Sequence, residues 1–179
     1  MDERRIQQAG LYGLVGVVLM ALQALPYIGL ICGIASLVLI ALAHKGLSEE
    51  LDDPSIFRDT ILFMVVAFAS SLVAGAMVAG SLMTAMNSPG FGVPVTALLA
   101  AVVSYAGFIL SFYLAKKVFM KLYEYLNVSH FKTAGNLMFW GAVTYIIVIG
   151  IFLILVGWIF AAVGYNTLRT HQGVAEAAE

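Results

Sequence analysis

The chain has 179 residues, of which 62% are hydrophobic and only 11% are charged, and its formal net charge is −1. Its mean hydropathy is +0.99. Because a soluble domain carries about a quarter charged residues, this composition excludes a soluble globular protein and predicts one compact domain surrounded by lipid. It gives no reason to expect a nucleic-acid partner. All charged residues fall in four segments, 2–5, 45–59, 116–132 and 169–179.

The first uncharged stretch, 6–44, is too long for one transmembrane helix, which needs about 20 residues. Pro26 lacks a backbone donor and Gly29 favours a turn, so together they interrupt it. The sequence therefore predicts a hairpin of two helices, at about 9–25 and 28–44, after a short cytoplasmic N-terminus at 1–9.

The second uncharged stretch, 60–115, also contains a break. The sequence Asn-Ser-Pro-Gly-Phe-Gly at 87–92 is a strong turn signal. It predicts helices at about 60–86 and 91–115.

Two charged segments extend this pattern outside the membrane. Asp53 and Pro54 are typical of an N-cap and a first helical position, so the third helix is expected to begin in water. Segment 116–132 continues the fourth helix, with apolar residues on one face. It either lies on the lipid surface or packs its apolar face on segment 45–59. Contact with lipid headgroups would involve Lys116, Lys117, Lys121 and Lys132.

The third uncharged stretch is predicted to form one helix, at about 136–165. Trp140 and Trp158 are separated by about 27 Å along such a helix, and tryptophan prefers both membrane interfaces. The alternative is a second hairpin that turns near Gly150, which would give six crossings instead of five. The fold class is therefore an all-α polytopic transmembrane bundle, a single domain over 10–168.

The basic residues predict the orientation of this bundle. Five spans place eight of the nine Lys and Arg residues on one side and leave only Arg169 on the other. Since basic loops stay in the cytoplasm, the N-terminus is predicted to be cytoplasmic and the C-terminus to lie outside the cell membrane. The small, polar residues of 169–179 are typical of a disordered tail.

Polar residues inside the predicted spans are limited to hydroxyl and amide side chains, and no Asp, Glu, Lys or Arg occurs there. This disfavours ion-coupled transport through a buried carboxylate. Serine and threonine in such helices usually bond to backbone carbonyls or to a neighbouring helix. The alternative is a polar pocket formed by Gln23, Ser70, Ser71 and Ser104.

Small residues recur at spacings of four and seven, a pattern that lets helices approach closely in lipid. Packing within the chain is the simpler interpretation; the alternative is a face for another subunit, in a homo-oligomer or a larger membrane complex. The predicted packing positions are Gly29, Gly33, Ser71, Gly75, Ala79, Gly107, Ser111, Gly150, Gly157 and Gly164.

The three histidines, His44, His130 and His171, lie at or beyond the ends of the predicted spans. Neither they nor Cys32 have metal-ligand spacing, and we interpret them as polar residues at the membrane interface. The chain contains no phosphate-binding loop, nucleophile elbow or HExxH motif. We therefore predict no catalytic residue, no metal and no cofactor.

With these spans in place, the sequence resembles a family of small integral membrane proteins, mostly archaeal, that is defined only as a domain of unknown function. The resemblance covers about 10–168. It implies a prokaryotic plasma-membrane protein and supplies no catalytic residues. The motifs that carry it are Pro26-Tyr-Ile-Gly29, the loop from Leu47 to Phe57, Phe131-Lys-Thr-Ala-Gly135, Gly141-Ala142, Ile149-Gly150 and Gly157-Trp158.

Three functions are compatible with this pattern. The small-residue stripes and short loops favour a non-catalytic membrane component, either an accessory subunit or a self-associating scaffold. The alternative is a small oligomeric transporter or channel with a polar path lined by serine and threonine. A lipid-modifying enzyme ranks last, because the sequence shows no acid–base pair.

Overall fold

The computed structural model describes residues 2–22, 27–87 and 95–170, and over these residues it is built of helices. This confirms the predicted all-α bundle. The turns predicted at Pro26 and at 87–92, as well as the tail after Thr170, fall wholly or largely outside the described residues. The helices are α1 Glu3–Leu22, α2 Gly29–Glu50, α3 Pro54–Asn87, α4 Val95–Leu126, α5 Ser129–Val143 and α6 Ile149–Thr170.

Five of the helices are long and apolar enough to cross a membrane: all except α5 contain such a span. With 15 residues, α5 is about 22 Å long, shorter than the apolar core of a bilayer. The predicted start of the third helix is confirmed, since α3 begins at Pro54. The Asp53 side chain accepts a hydrogen bond from the Ser55 backbone N–H at 2.9 Å.

The six helices form a closed ring in which each helix packs on the next and α6 returns to α1. Glycine permits the closing contact. A Cβ added at Gly10 of α1 would lie 2.8 Å from the carbonyl oxygen of Tyr165 and 2.9 Å from the backbone nitrogen of Arg169. The α1 and α6 backbones therefore touch directly.

The single helix predicted at 136–165 is wrong, because the chain reverses within it. A 3-10 turn at Tyr145–Ile147 and a left-handed Val148 (φ 59°) separate α5 from α6. The two helices then run antiparallel. A Cβ at Gly141 would lie 2.7 Å from Ile154 Cγ1, and one at Gly157 would lie 2.7 Å from Met138 Cγ.

The physical reason for this error lies in the preceding segment. Asn127, in the left-handed conformation (φ 51°), ends α4, and α5 begins two residues later at Ser129. Polar residues of 129–135, assigned to the α4 extension or its loop, are therefore the first turns of α5. The first arm of the hairpin, α5, is therefore longer than the uncharged stretch alone predicted, because it begins before that stretch.

Trp140 and Trp158 therefore do not mark opposite interfaces of one helix. They lie on antiparallel helices on either side of the contact between Met138 and Gly157. A turn lies between the two tryptophans in the sequence, so their spacing does not correspond to the thickness of a bilayer.

The additional reversal also changes the position of the C-terminal end. The end of α6 lies beside the start of α1, and the Asp2 backbone N–H donates to Glu50 at the end of α2 at 2.8 Å. The start of α1 and the end of α6 therefore lie at the same end of the bundle, whereas five crossings predicted the termini on opposite sides. The side of the membrane on which each terminus lies stays a prediction. We call this end of the bundle, formed by residues 2–6, 44–60, 115–132 and 165–170, the charged end.

Side-chain packing is tight at the charged end and loose toward the opposite, apolar end. The buried core there includes Ile6, Leu47, Ile56, Leu122, Phe131 and Leu168. By contrast, none of the described side chains of α3 between residues 61 and 80 is buried. The interior of the ring is therefore not filled by protein in this half.

Candidate functional site

A buried hydrogen-bonded cluster joins three helices at the charged end. The His44 Nδ1 atom of α2 lies 2.8 Å from Thr60 Oγ1 of α3, and its Nε2 atom lies 2.6 Å from the Tyr165 hydroxyl of α6. Thr60 Oγ1 donates to the carbonyl of Ile56 at 2.8 Å. Because the Thr60 hydroxyl uses its hydrogen in that bond, it accepts a hydrogen bond from His44 Nδ1–H. The Tyr165 hydroxyl donates to His44 Nε2, so a neutral imidazole satisfies the hydrogen bonding of all three side chains.

Local packing explains why these side chains meet. His44 faces inward on α2 between the buried Ile40 and Leu47, and Gly13 of α1 leaves the space that the Tyr165 ring occupies. The interpretation of His44 as a residue at the membrane interface is wrong, since only 3% of it is exposed. Its apolar neighbours at helical spacing were the sequence signal for burial, but its two hydrogen-bond partners, Thr60 and Tyr165, come from other helices.

A second cluster at the charged end links α3 to α4 by ion pairs. The Asp59 side chain is only 2% exposed and lies 3.3 Å from Lys117 Nζ, 3.6 Å from Lys121 Nζ and 3.3 Å from Arg58. Lys121 also lies 3.7 Å from the Asp53 carboxylate. Removing either lysine would leave a buried carboxylate less compensated, which is costly.

The pKa of Asp53, in the loop before α3, is held below its ordinary value of 3.8. The largest cause is the hydrogen bond from the Ser55 hydroxyl, which favours the charged carboxylate. The Ser55 backbone N–H and the positive charge of Lys121 act in the same direction.

The four lysines predicted to touch lipid headgroups all have contacts within the chain. Lys117 and Lys121 form the ion pairs above, Lys116 lies over the Phe139 ring at 4.9 Å, and Lys132 lies over the Tyr123 ring at 5.2 Å. Headgroup contact stays a prediction.

The apolar face of the α4 extension is packed inside the protein. Phe119, Leu122 and Leu126 are buried in one cluster with Leu47 and Ile56. Of the two arrangements predicted for this segment, the structure has the one that packs on segment 45–59.

Six of the predicted packing positions lie at helix contacts or are buried. Gly107 faces Ser70 of α3, Gly150 faces the end of α5, Gly157 faces Met138, and a Cβ at Gly164 would lie 2.8 Å from Phe131. Gly29 and Ser111 are buried.

The other four packing positions are more accessible. Gly33 is half-buried. Ser71, Gly75 and Ala79 form an exposed stripe on α3, and a Cβ added at Gly75 would have nothing within 4 Å. Within the described chain, this stripe has no helix packed on it.

A large cavity of about 1070 Å³ occupies the middle of the ring. Ser70, Ser71 and Ser104 of the predicted polar pocket all line it, whereas Gln23 lies outside the described residues. The rest of the lining is mostly aliphatic and aromatic and comes chiefly from α1, α3, α4 and α6. Representative lining residues are Val17, Ala67, Ala101, Phe108, Phe112, Ile154, Trp158 and Ala162.

Six described residues along this cavity carry hydroxyl groups, and all of them except Ser70 and Tyr145 donate to backbone carbonyls. Ser71 donates to Ala67 at 2.8 Å, Ser104 to Ala100 at 2.5 Å, Ser111 to Phe108 at 2.8 Å, and Tyr105 to Val143 at 2.5 Å. The cavity consequently offers little free hydrogen-bonding capacity.

Phe63 and Trp158 form the floor of the cavity toward the charged end. They also line a much smaller space, of about 10 Å³, that touches His44 and Thr60. These two aromatic side chains therefore separate the central cavity from the buried histidine cluster.

A closed ring of apolar helices, five of them long enough to span a bilayer, defines a fold compatible with a polytopic membrane protein. Residues 32–159 match the family model described as a protein of unknown function, DUF996, and the chain belongs to this family. This confirms the predicted resemblance.

One relative is the protein described as "Uncharacterized protein MJ1644" from the archaeon Methanocaldococcus jannaschii. It is 27% identical over 172 residues, which cover 94% of this chain and 96% of the relative. No solved structure matches the chain.

Proposed function

We propose that this protein is a non-catalytic component of the cell membrane, acting as an accessory subunit or a self-associating scaffold. The observation that carries the proposal is the use of its buried polar groups. His44, Thr60 and Tyr165 bond to one another, and Asp59 pairs with lysines of α4. These groups join helices to one another, as expected for a structural role.

The distribution of charge supports an orientation with the charged end in the cytoplasm. Every basic residue of the chain lies at that end once Arg169 is placed beside α1, so the asymmetry is larger than the sequence suggested. The residues are Arg4, Arg5, Lys45, Arg58, Lys116, Lys117, Lys121, Lys132 and Arg169.

The exposed stripe on α3 supports self-association. Gly75 and Ala79 offer a surface without bulky side chains, and in lipid such surfaces let two helices approach closely. Ser71, at the start of the stripe, lines the central cavity. We propose that two copies of the chain meet along this stripe.

Single-molecule photobleaching of the full chain in dilute vesicles tests this proposal. The wild-type protein should show two bleaching steps, and Gly75→Leu should shift the population toward one step without lowering the thermal midpoint. The matched control is Ala76→Leu, at an exposed position beside the stripe. A wild-type protein that is monomeric at every density would contradict self-association through α3.

The central cavity favours a second candidate, the small transporter or channel. Four serines, Ser70, Ser71, Ser104 and Ser111, line this space, and its aromatic floor would then act as a gate. Under this candidate, Trp158→Ala should increase the flux of a small polar solute into vesicles. Equal, background flux for wild type and variant would count against it.

A further inference from the structure

We propose that the central cavity is a binding site for the hydrocarbon chain of a membrane lipid, which enters from the side between α2 and α3. This inference goes beyond the proposed scaffold role and does not depend on self-association.

The chemistry of the lining selects an apolar ligand. None of the described residues that line the cavity is charged, and most of its serine and tyrosine hydroxyls donate to backbone carbonyls. Buried water needs two to four polar partners, and apolar cavities of engineered proteins stay dry or take apolar guests. The volume, about 1070 Å³, lies just above the range typical of small-molecule sites, about 300–1,000 Å³.

The position of the cavity selects lipid as the source of that ligand. It lies in the loosely packed half of the ring, beyond the charged end, where the outer surface is apolar. Lining residue Leu37 of α2, beside the gap to α3, is 41% exposed, and Val18 of α1 and Leu155 of α6 are 50% and 54% exposed. Whatever solvent surrounds this half of the bundle can therefore reach the lining, and by composition that solvent is hydrocarbon.

The gap between α2 and α3 supplies the entrance. These two helices contact one another less extensively than any other neighbouring pair in the ring. They meet near the charged end, where His44 bonds to Thr60. Of α2, only Leu37 reaches the cavity, so α2 contributes little to the wall beside α3.

The two tryptophans provide a direct test, because Trp158 lines the cavity and Trp140 is 56% exposed on the outer surface. Trp140→Phe leaves Trp158 as the only tryptophan, and Trp158→Phe leaves Trp140. The full chain of each variant is reconstituted in vesicles of phosphatidylcholine with brominated acyl chains, which quench tryptophan on contact. Unbrominated vesicles give the reference emission.

We expect the emission of Trp158 to be quenched to an extent comparable to that of Trp140. Filling the cavity with Ala101→Phe should restore the Trp158 emission, and Ala67→Leu provides a second, milder filling variant. Ala106→Phe, on an exposed part of α4 outside the lining, should change nothing.

Two results would overturn the proposal. The first is a Trp158 that brominated chains leave unquenched while Trp140 is quenched. The second is quenching of Trp158 by acrylamide, a water-soluble quencher, to a greater extent than by brominated lipid. That outcome would assign water to the cavity and favour a polar path through it.

Discussion

At the scale of single residues, His44 is held in place by hydrogen bonds at both ring nitrogens. Its two ring nitrogens are both bonded, to Thr60 and Tyr165, in a region where burial excludes water as a substitute partner. An unpaired buried acceptor costs more than a hydrogen bond contributes when formed. The cluster therefore stabilises one arrangement of α2, α3 and α6.

Replacing Tyr165 with phenylalanine should lower the free energy of unfolding by about 1–3 kcal/mol, because His44 Nε2 would stay buried without a donor. The measurement is the unfolding midpoint in a mild detergent. Tyr113→Phe, at a position that is 48% exposed, is the control and should cost little. Equal midpoints for both variants would mean that the hydrogen bond contributes nothing.

Asp53 should make the stability of the protein depend on pH in the acidic range. Its folded-state pKa is depressed below the ordinary value of 3.8. Its contribution is therefore present above that value and is lost as pH falls through the folded pKa. Between about pH 5 and pH 3, the range in which an aspartate titrates, the thermal midpoint of Asp53→Asn should fall less than that of the wild-type protein. If Asp53→Asn and the wild-type protein had the same pH profile, Asp53 would not contribute to the pH dependence of stability.

At the scale of elements, glycine decides how the last two helices meet. Gly141, Gly157 and Gly164 let α5 and α6 pack along their length as an antiparallel pair. In lipid such close backbone contacts replace the hydrophobic driving force that joins helices in water. The hairpin therefore depends on the absence of side chains at a few positions.

Gly157→Leu should destabilise the fold by about 1–3 kcal/mol or more, because the new side chain would overlap Met138. Gly75→Leu is the matched control, since its surroundings within the chain are open. Thermal unfolding in detergent distinguishes them. If the two substitutions lowered the midpoint equally, the α5–α6 contact would not be the reason for the effect.

At the scale of the whole molecule, charge is segregated along the axis of the ring. Every charged side chain of the described chain lies at the charged end. The first residue of α1 and the last residue of α6 lie there too. The opposite end carries the exposed, uncharged turn that contains Ile146 and Ile147.

Reporter fusions should therefore place both termini on the same side. A reporter that is active only in the cytoplasm should be active when fused to either end of the chain, because the α5–α6 hairpin returns the chain to the charged end. Activity at the N-terminus alone would contradict this arrangement and restore an odd number of crossings.

The sequence by itself determined the class of the protein and most of its helices. Composition and charge segregation predicted the helical bundle, and the Asp53–Pro54 pair located the start of α3. These features are local or additive, so they can be counted along the chain. The same holds for the family resemblance, which rests on short motifs.

Only the tertiary structure decided the α5–α6 reversal, the position of the end of α6 beside the start of α1, and the burial of His44. The turn at Tyr145–Ile147 contains no proline or glycine, and its position is set by contacts between helices. The His44 cluster and the cavity likewise combine residues from distant segments. No local pattern records these distances, because they exist only once the ring of helices has closed.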